Sequence, residues 1–139
     1  MKSNGLLLAT LLAMTTMLLS VIACSSESSA QTIQAITAQK AHELVRDNLG
    51  NGDFVIVDVR TPQEFADARL ANALNISLES SSFRTDMNRL DKGDTYLVYC
   101  RTGNRSTQAA SIMKDLGFTQ VYDMGGIVHW ASAGFPLVR

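Results

Sequence analysis

Apolar residues fall into one long run followed by short runs that alternate between two periods. The long run covers residues 6–23, with only Thr10, Thr15, Thr16 and Ser20 interrupting it. After it, residues 54–59, broken only by Asp58, and 96–100 are rich in Val, Ile and Tyr, the composition of strands buried on both faces of a parallel sheet. Residues 32–36, 73–76 and 120–123 are shorter strand candidates. Between the strands the period changes to that of a helix. Ala109, Ile112, Met113 and Leu116 follow at i, i+3, i+4 and i+7 from a start near Ser106, and Gly117 closes that helix at C′. Thr37 is the expected N-cap of a helix reaching Leu44 and Val45, which the turn cluster of residues 48–52 ends. Thr61-Pro62-Gln63-Glu64 reads as a capping box with proline in the first turn. A further helix is expected over residues 82–90, and residues 91–94 turn the chain into the next strand. Strands alternating with helices predict an α/β domain.

The order of elements singles out one junction. Cys100 ends an apolar strand and precedes the polar loop Arg101-Thr102-Gly103-Asn104-Arg105-Ser106, from which a helix departs. In open α/β sheets, ligands sit at the carboxyl ends of strands. Unpaired N–H groups at a helix start attract negative charge, Gly103 lets them curl inward, and Arg101 and Arg105 add two fixed cations. A cysteine in that field is expected to ionise and act as a nucleophile. The alternative is a small apolar core cysteine, which two arginines within five residues argue against. Asp58 and Arg60 end the neighbouring strand. They are expected behind the loop, Asp58 pairing with Arg60 or with a loop arginine and holding the loop in shape. Glu64 is read as structural, through its cap.

Composition adds limits. A chain of 139 residues with formal net charge −1 allows one domain and carries no basic footprint for nucleic acid. Lys2 before the long apolar run marks residues 1–23 as a targeting segment. Residues 24–31, rich in serine, read as a tether, and residues 32–139 as the domain. Val21-Ile22-Ala23-Cys24 resembles a bacterial lipobox, which implies a lipidated Cys24 and a membrane-anchored periplasmic protein. Cleavage after Ser28-Ser29-Ala30, giving a soluble periplasmic protein, and an uncleaved span are the alternatives. With Cys24 acylated, Cys100 is the one thiol left, so no internal disulfide forms. His42 is read as a solvated surface histidine, His129 as a structural mid-helix residue rather than a general base, and Trp130 as core; Gly125-Gly126 is expected to form a turn where the backbone comes close to the active-site loop. No metal ligand set or cofactor motif is found, and a monomer is expected.

Three stretches together resemble the rhodanese family of sulfurtransferases. Cys100-Arg101-Thr102-Gly103-Asn104-Arg105-Ser106 matches its active-site pattern C-R-x-G-x-R-S. Val55-Ile56-Val57-Asp58-Val59-Arg60, with Glu64 and Phe65 after it, resembles its V-I-D-V-R-x-x-x-E-F motif. Gly125-Gly126-Ile127-Val128-His129-Trp130, followed by Gly134-Phe135-Pro136, resembles its closing segment. The stretch of residues 68–77 departs from the family pattern by lacking its glycines and prolines, which makes Asn72 the natural left-handed residue there. The resemblance implies a rhodanese-like fold: a mostly parallel central sheet of about five strands, flanked by helices on both faces. It implies transfer of sulfane sulfur from thiosulfate or a similar donor to cyanide or a thiol through a Cys100 persulfide. On that reading Arg101, Thr102, Gly103, Asn104, Arg105 and Ser106 form the anion-binding loop, and the two arginines bind the dianionic donor. A non-catalytic sulfur carrier or partner-binding module is the alternative. A thiol phosphatase or arsenate-reductase-like enzyme is disfavoured, because the loop has four residues between Cys100 and Arg105 where the related phosphatases have five.

Overall fold

The structure is a computed structural model, and it describes residues 30–139. The targeting segment, Cys24 and most of the tether lie outside the described residues. Five strands form one sheet: β1 (Thr32–Ala35), β2 (Phe54–Asp58), β3 (Leu74–Asn75), β4 (Thr95–Cys100) and β5 (Gln120–Gly126). Their order is β1-β5-β4-β2-β3, and every pairing is parallel. The helices are α1 (Ala38–Asp47), α2 (Pro62–Asp67), α3 (Phe83–Asn88), α4 (Asn104–Asp115) and α5 (Ile127–Ser132).

The sheet divides the core into two layers, and strand alternation decides which residue enters which. Along β4, Tyr96, Val98 and Cys100 face α3 and α4, joining Val57, Met87, Ala109 and Met113. Leu97 and Tyr99 face the opposite way, toward α1 and α5, joining Ile56, Ala41, Met124 and Trp130. The predicted helices on both faces are therefore present. Cys100 is set by parity on the α4 side, at the end of the most central part of the sheet.

Several local signals act as read. Thr37 Oγ1 accepts from Lys40 N at 3.2 Å, and Asn48 caps the other end of α1. Gly117, at φ 90°, follows the C-cap Leu116 of α4, with Gly117 N donating to Lys114 O and Phe118 N to Met113 O. This is a Schellman ending, and it swings Phe118 into the core. Asn72 takes φ 61°, the only positive φ outside glycine among the described residues.

Four expectations are corrected. Helix α4 begins at Asn104 rather than near Ser106, because Gly103 at φ 119° already turns the chain into the helix. The strand expected over residues 73–76 is only Leu74–Asn75, an edge strand paired on one side. Gly125-Gly126 does not form a turn but completes β5. His42 is not a solvated surface residue: its ring stacks on Phe135 at 4.1 Å between centroids and meets Trp130 edge-on at 5.5 Å.

Candidate active site

The loop after β4 is shaped by its own glycine and by the strand beside it. At φ 119°, Gly103 returns its N–H toward the preceding strand, where it donates to Cys100 Sγ at 3.0 Å. Among the described hydrogen bonds, the N–H groups of Thr102, Asn104, Arg105 and Ser106 have no acceptor. The loop thus sets unpaired main-chain donors at the start of a helix, and the Gly103 N–H among them is the one bonded to the sulfur. Ser106 Oγ lies 3.7 Å from Sγ and donates to Gly103 O at 2.9 Å, tying the first turn of α4 to the loop. Cys100 is 1% exposed, so it is both a core residue and the centre of the loop.

Strand β5 supports the loop from below. Its pairing with β4 slips after Val98↔Asp123, so that Tyr99 faces Gly125 and Met124 is the extra residue. This is a β-bulge, which bends the strand end and re-aims it. Asp123, 8% exposed, stabilises it: Oδ1 accepts from Gly125 N at 2.8 Å, and Oδ2 lies 2.8 Å from Thr107 Oγ1 on α4. The bulge brings Gly126 against the loop. A Cβ there would sit 2.6 Å from Arg101 O and 2.8 Å from Thr102 Cα, closer than real contacts allow. The expected close approach to the active-site loop is real, and it is made by a strand end.

Asp58 and Arg60 form the brace behind the loop's neighbouring strand. Asp58 is fully buried; Arg60 Nη2 donates to its Oδ2 at 2.6 Å, and Arg60 Nε and main-chain N donate to its Oδ1 at 3.0 and 2.9 Å. Of the two expected partners for Asp58, Arg60 is the one found. Arg60 Nη2 also donates to Ala68 O at 2.6 Å, and Asn75 Nδ2 donates to the carbonyls of Asp58 and Arg60 at 3.0 and 2.9 Å. Every donor pointed inward is used, as a buried ion pair requires.

The two loop arginines separate. Arg105 reaches across to α2, where Nη2 and Nη1 bond Glu64 Oε1 and Oε2, both at 2.8 Å, and Nη1 meets Glu79 at 3.2 Å. Such a two-pronged contact is strong and directional. Hydrogen bonding to Glu64 raises the pKa of Arg105, and the Arg105 bond, with help from Thr61, lowers that of Glu64 to about 2. Glu64 also closes the capping box, its Oε2 accepting from Thr61 N at 3.0 Å. So the residue read as a simple cap also anchors the loop, and Glu79 was not anticipated at all. Arg101 is exposed, and its side chain has no hydrogen bond or ion pair among the described residues. Thr102 and Asn104 are exposed on the rim, and Asn104 Oδ1 accepts from Gln108 Nε2 at 3.1 Å. His129 is exposed on α5 and makes no hydrogen bond to the loop among the described residues.

A five-stranded parallel sheet with helices on both faces and a buried cysteine at the end of its central strand defines a class of α/β domain. The comparisons place the chain within it. The rhodanese-like domain family matches residues 41–133, and the chain belongs to that family. It is 36% identical over 87 residues to a sulfurtransferase of Allochromatium vinosum, covering 62% of this chain and 79% of that protein. It is 37% identical over 71 residues to the thiosulfate sulfurtransferase PspE of Escherichia coli, covering 51% and 68%. Among solved structures it resembles a rhodanese-related protein from Thermoplasma volcanium, with TM-score 0.63, 31% identity, and 76% and 97% of the two chains covered.

Two outcomes follow for the loop's supports. Gly126→Ala should lower the unfolding free energy by about 1–3 kcal/mol through overpacking against Arg101 and Thr102. Gly52→Ala, with nothing within 4 Å of the added methyl, should stay within about 0.5 kcal/mol of wild type. Urea titrations of both proteins check this. The Glu64–Arg105 contact should depend on pH. A depressed carboxylate pKa contributes stability above about 4.5, and that contribution disappears as pH falls toward about 2. Denaturation of wild type and Glu64→Gln from pH 7 downward should show a gap that closes through that window; a constant gap contradicts the ion pair.

Proposed function

We propose that the chain is a sulfurtransferase that carries sulfane sulfur as a persulfide on Cys100. The observation that carries this reading is the Gly103 N–H on Sγ at 3.0 Å, within a loop whose other amides are unpaired. Family membership and relatives named as sulfurtransferases support the same chemistry. In the first step the Cys100 thiolate attacks the outer sulfur of thiosulfate. The Sγ–S bond forms, the S–S bond of the donor breaks, and sulfite leaves with its electron pair. The product is a persulfide anion whose terminal sulfur lies among the loop amides, which stabilise it as they would an oxyanion. In the second step a thiophilic acceptor, cyanide or a thiolate, takes that terminal sulfur and returns Cys100 to its starting form. Net charge balances in both steps, and no cofactor is required.

The roles of the arginines differ on this reading. Arg105 is a positioning residue, because its guanidinium is already held by two carboxylates. Arg101 is the cation that meets the donor's oxygens. For the N-terminal segment we carry forward the lipoprotein reading, supported by Lys2, the apolar run and Val21-Ile22-Ala23-Cys24.

Intact-mass spectrometry after thiosulfate treatment should show a gain of one sulfur atom on wild type and none on Cys100→Ser. Arg101→Ala should slow that gain by about tenfold at limiting thiosulfate, as expected for loss of one charge-assisted contact. No gain on wild type with any sulfane donor would remove the reading. Metabolic labelling with a radioactive fatty acid should mark the wild-type chain and not Cys24→Ala; an unlabelled wild type rejects lipidation.

A further inference from the structure

The bulge at the end of β5 sets one residue, Gly125, against both groups that meet the sulfur. Gly103, whose N–H donates to Cys100 Sγ at 3.0 Å, faces it backbone to backbone. A Cβ on Gly103 would stand 3.6 Å from Gly125 Cα, and a Cβ on Gly125 would stand 3.9 Å from Gly103 Cα. Ser106 Oγ, 3.7 Å from Sγ, lies 3.4 Å from Gly125 O. Gly125 has no side chain to fix it, and its φ of 76° is one of several conformations open to a glycine. Asp123 supplies the restraint. Its Oδ1 accepts from Gly125 N at 2.8 Å, two residues on, which closes an Asx turn. Asp123 is itself anchored in the middle of the sheet. Its main chain lies between Val98 of β4 and Ala35 of β1, Ile36 N donates to its carbonyl at 2.8 Å, and its side chain is buried.

We infer that Asp123 is a positioning residue for sulfur transfer, acting through Gly125 on Gly103 and Ser106, whose polar atoms meet Sγ. This rests on the persulfide reading above and adds to it a residue outside the loop. The side chain has a second route to the loop, because Oδ2 lies 2.8 Å from Thr107 Oγ1, which in turn lies 3.1 Å from Gly103 O. That route is the weaker one. It ends on a carbonyl that already accepts from Thr107 N at 3.1 Å and from Ser106 Oγ at 2.9 Å, and it does not touch Ser106. The Gly125 route bears on the backbone of Gly103 and on the hydroxyl of Ser106 together. A donor displaced from the sulfur stabilises the developing persulfide less, while the donor's oxygens still meet Arg101 at the rim. Loss of Asp123 therefore acts on the rate of the step and spares thiosulfate binding.

The test follows persulfide formation from thiosulfate by intact mass over time, expressed per folded molecule from urea titrations. Asp123→Ala removes the acceptor for Gly125 N. It should lower the rate at saturating thiosulfate by about tenfold to a hundredfold, with the half-saturating concentration within about twofold of wild type. Asp123→Leu, which fills the same space without an acceptor, takes its place if the alanine variant does not fold. Asp123→Asn keeps an oxygen for Gly125 N and turns its amide to Thr107, so its rate should stay within about threefold of wild type. Thr107→Val leaves the Gly125 bond intact and should do the same. If Asp123→Asn loses as much as Asp123→Ala, the effect follows the charge and the assignment falls. Equal losses in Thr107→Val and Asp123→Ala overturn it as well, by placing the action on α4. A folded alanine or leucine variant at the wild-type rate also overturns it. In each of these cases the sulfurtransferase reading stands while wild type gains sulfur; if wild type gains none, both fall.

Discussion

The hydrogen bond from the Gly103 amide to Cys100 Sγ requires a main chain that doubles back on itself within three residues. A loop bent so tightly, with its other amides unpaired, has little to hold it from within. Its shape is imposed from outside, by three contacts reaching it from different elements. Gly126 presses on it from β5 with no side chain between, Asp123 ties β5 to Thr107 on α4, and Glu64 holds Arg105 from α2. Each contact acts on a different part of the loop: its first residues, the helix that follows, and its penultimate residue. Preorganisation of this kind lets the amides act on charge as it develops, with no further rearrangement.

The same contacts sort the charges. Two arginines within five residues would repel each other and compete for any anion. Binding Arg105 to Glu64 and Glu79 neutralises one of them and leaves Arg101 as the loop's free cation. The result is a site with a directional field. The amides act at the sulfur, and the unpaired guanidinium acts at the rim. Asp58 and Arg60 follow the same rule one strand away, where burial is complete and every inward donor has an acceptor.

Much of this was legible from sequence because it is local. The parity of β4 places Cys100 on the face of Tyr96 and Val98, and the capping box at Thr61 and the left-handed Asn72 are set by neighbours a few residues away. The contacts that hold the loop join residues far apart in the chain. Glu64 and Arg105 are separated by 41 residues and Glu79 and Arg105 by 26, and no periodicity signals either pairing. The bulge at Met124 was invisible for a related reason: an extra residue in one strand is defined only against its partner's register. His42 was misread because a polar neighbourhood in sequence, Lys40 and Glu43, says nothing of Phe135 and Trp130 packing on its ring from the far end of the chain.

Burial of Cys100 and the nucleophilic role proposed for it are compatible. A thiol buried in apolar surroundings is inert, and 1% exposure with Val57, Val98 and Ala109 in the same cluster would describe that case. What differs is the side of the sulfur that faces the loop, where Gly103 donates and four further amides stand unpaired. One side is apolar and fixed by strand packing; the other carries the Gly103 donor. On the persulfide reading, the reacting atom must reach the thiol from the loop side. A terminal sulfur meets that demand with one atom, whereas a phosphoryl group must seat three oxygens in the same ring. On that reading, the core that buries the thiol also selects the kind of atom it exchanges.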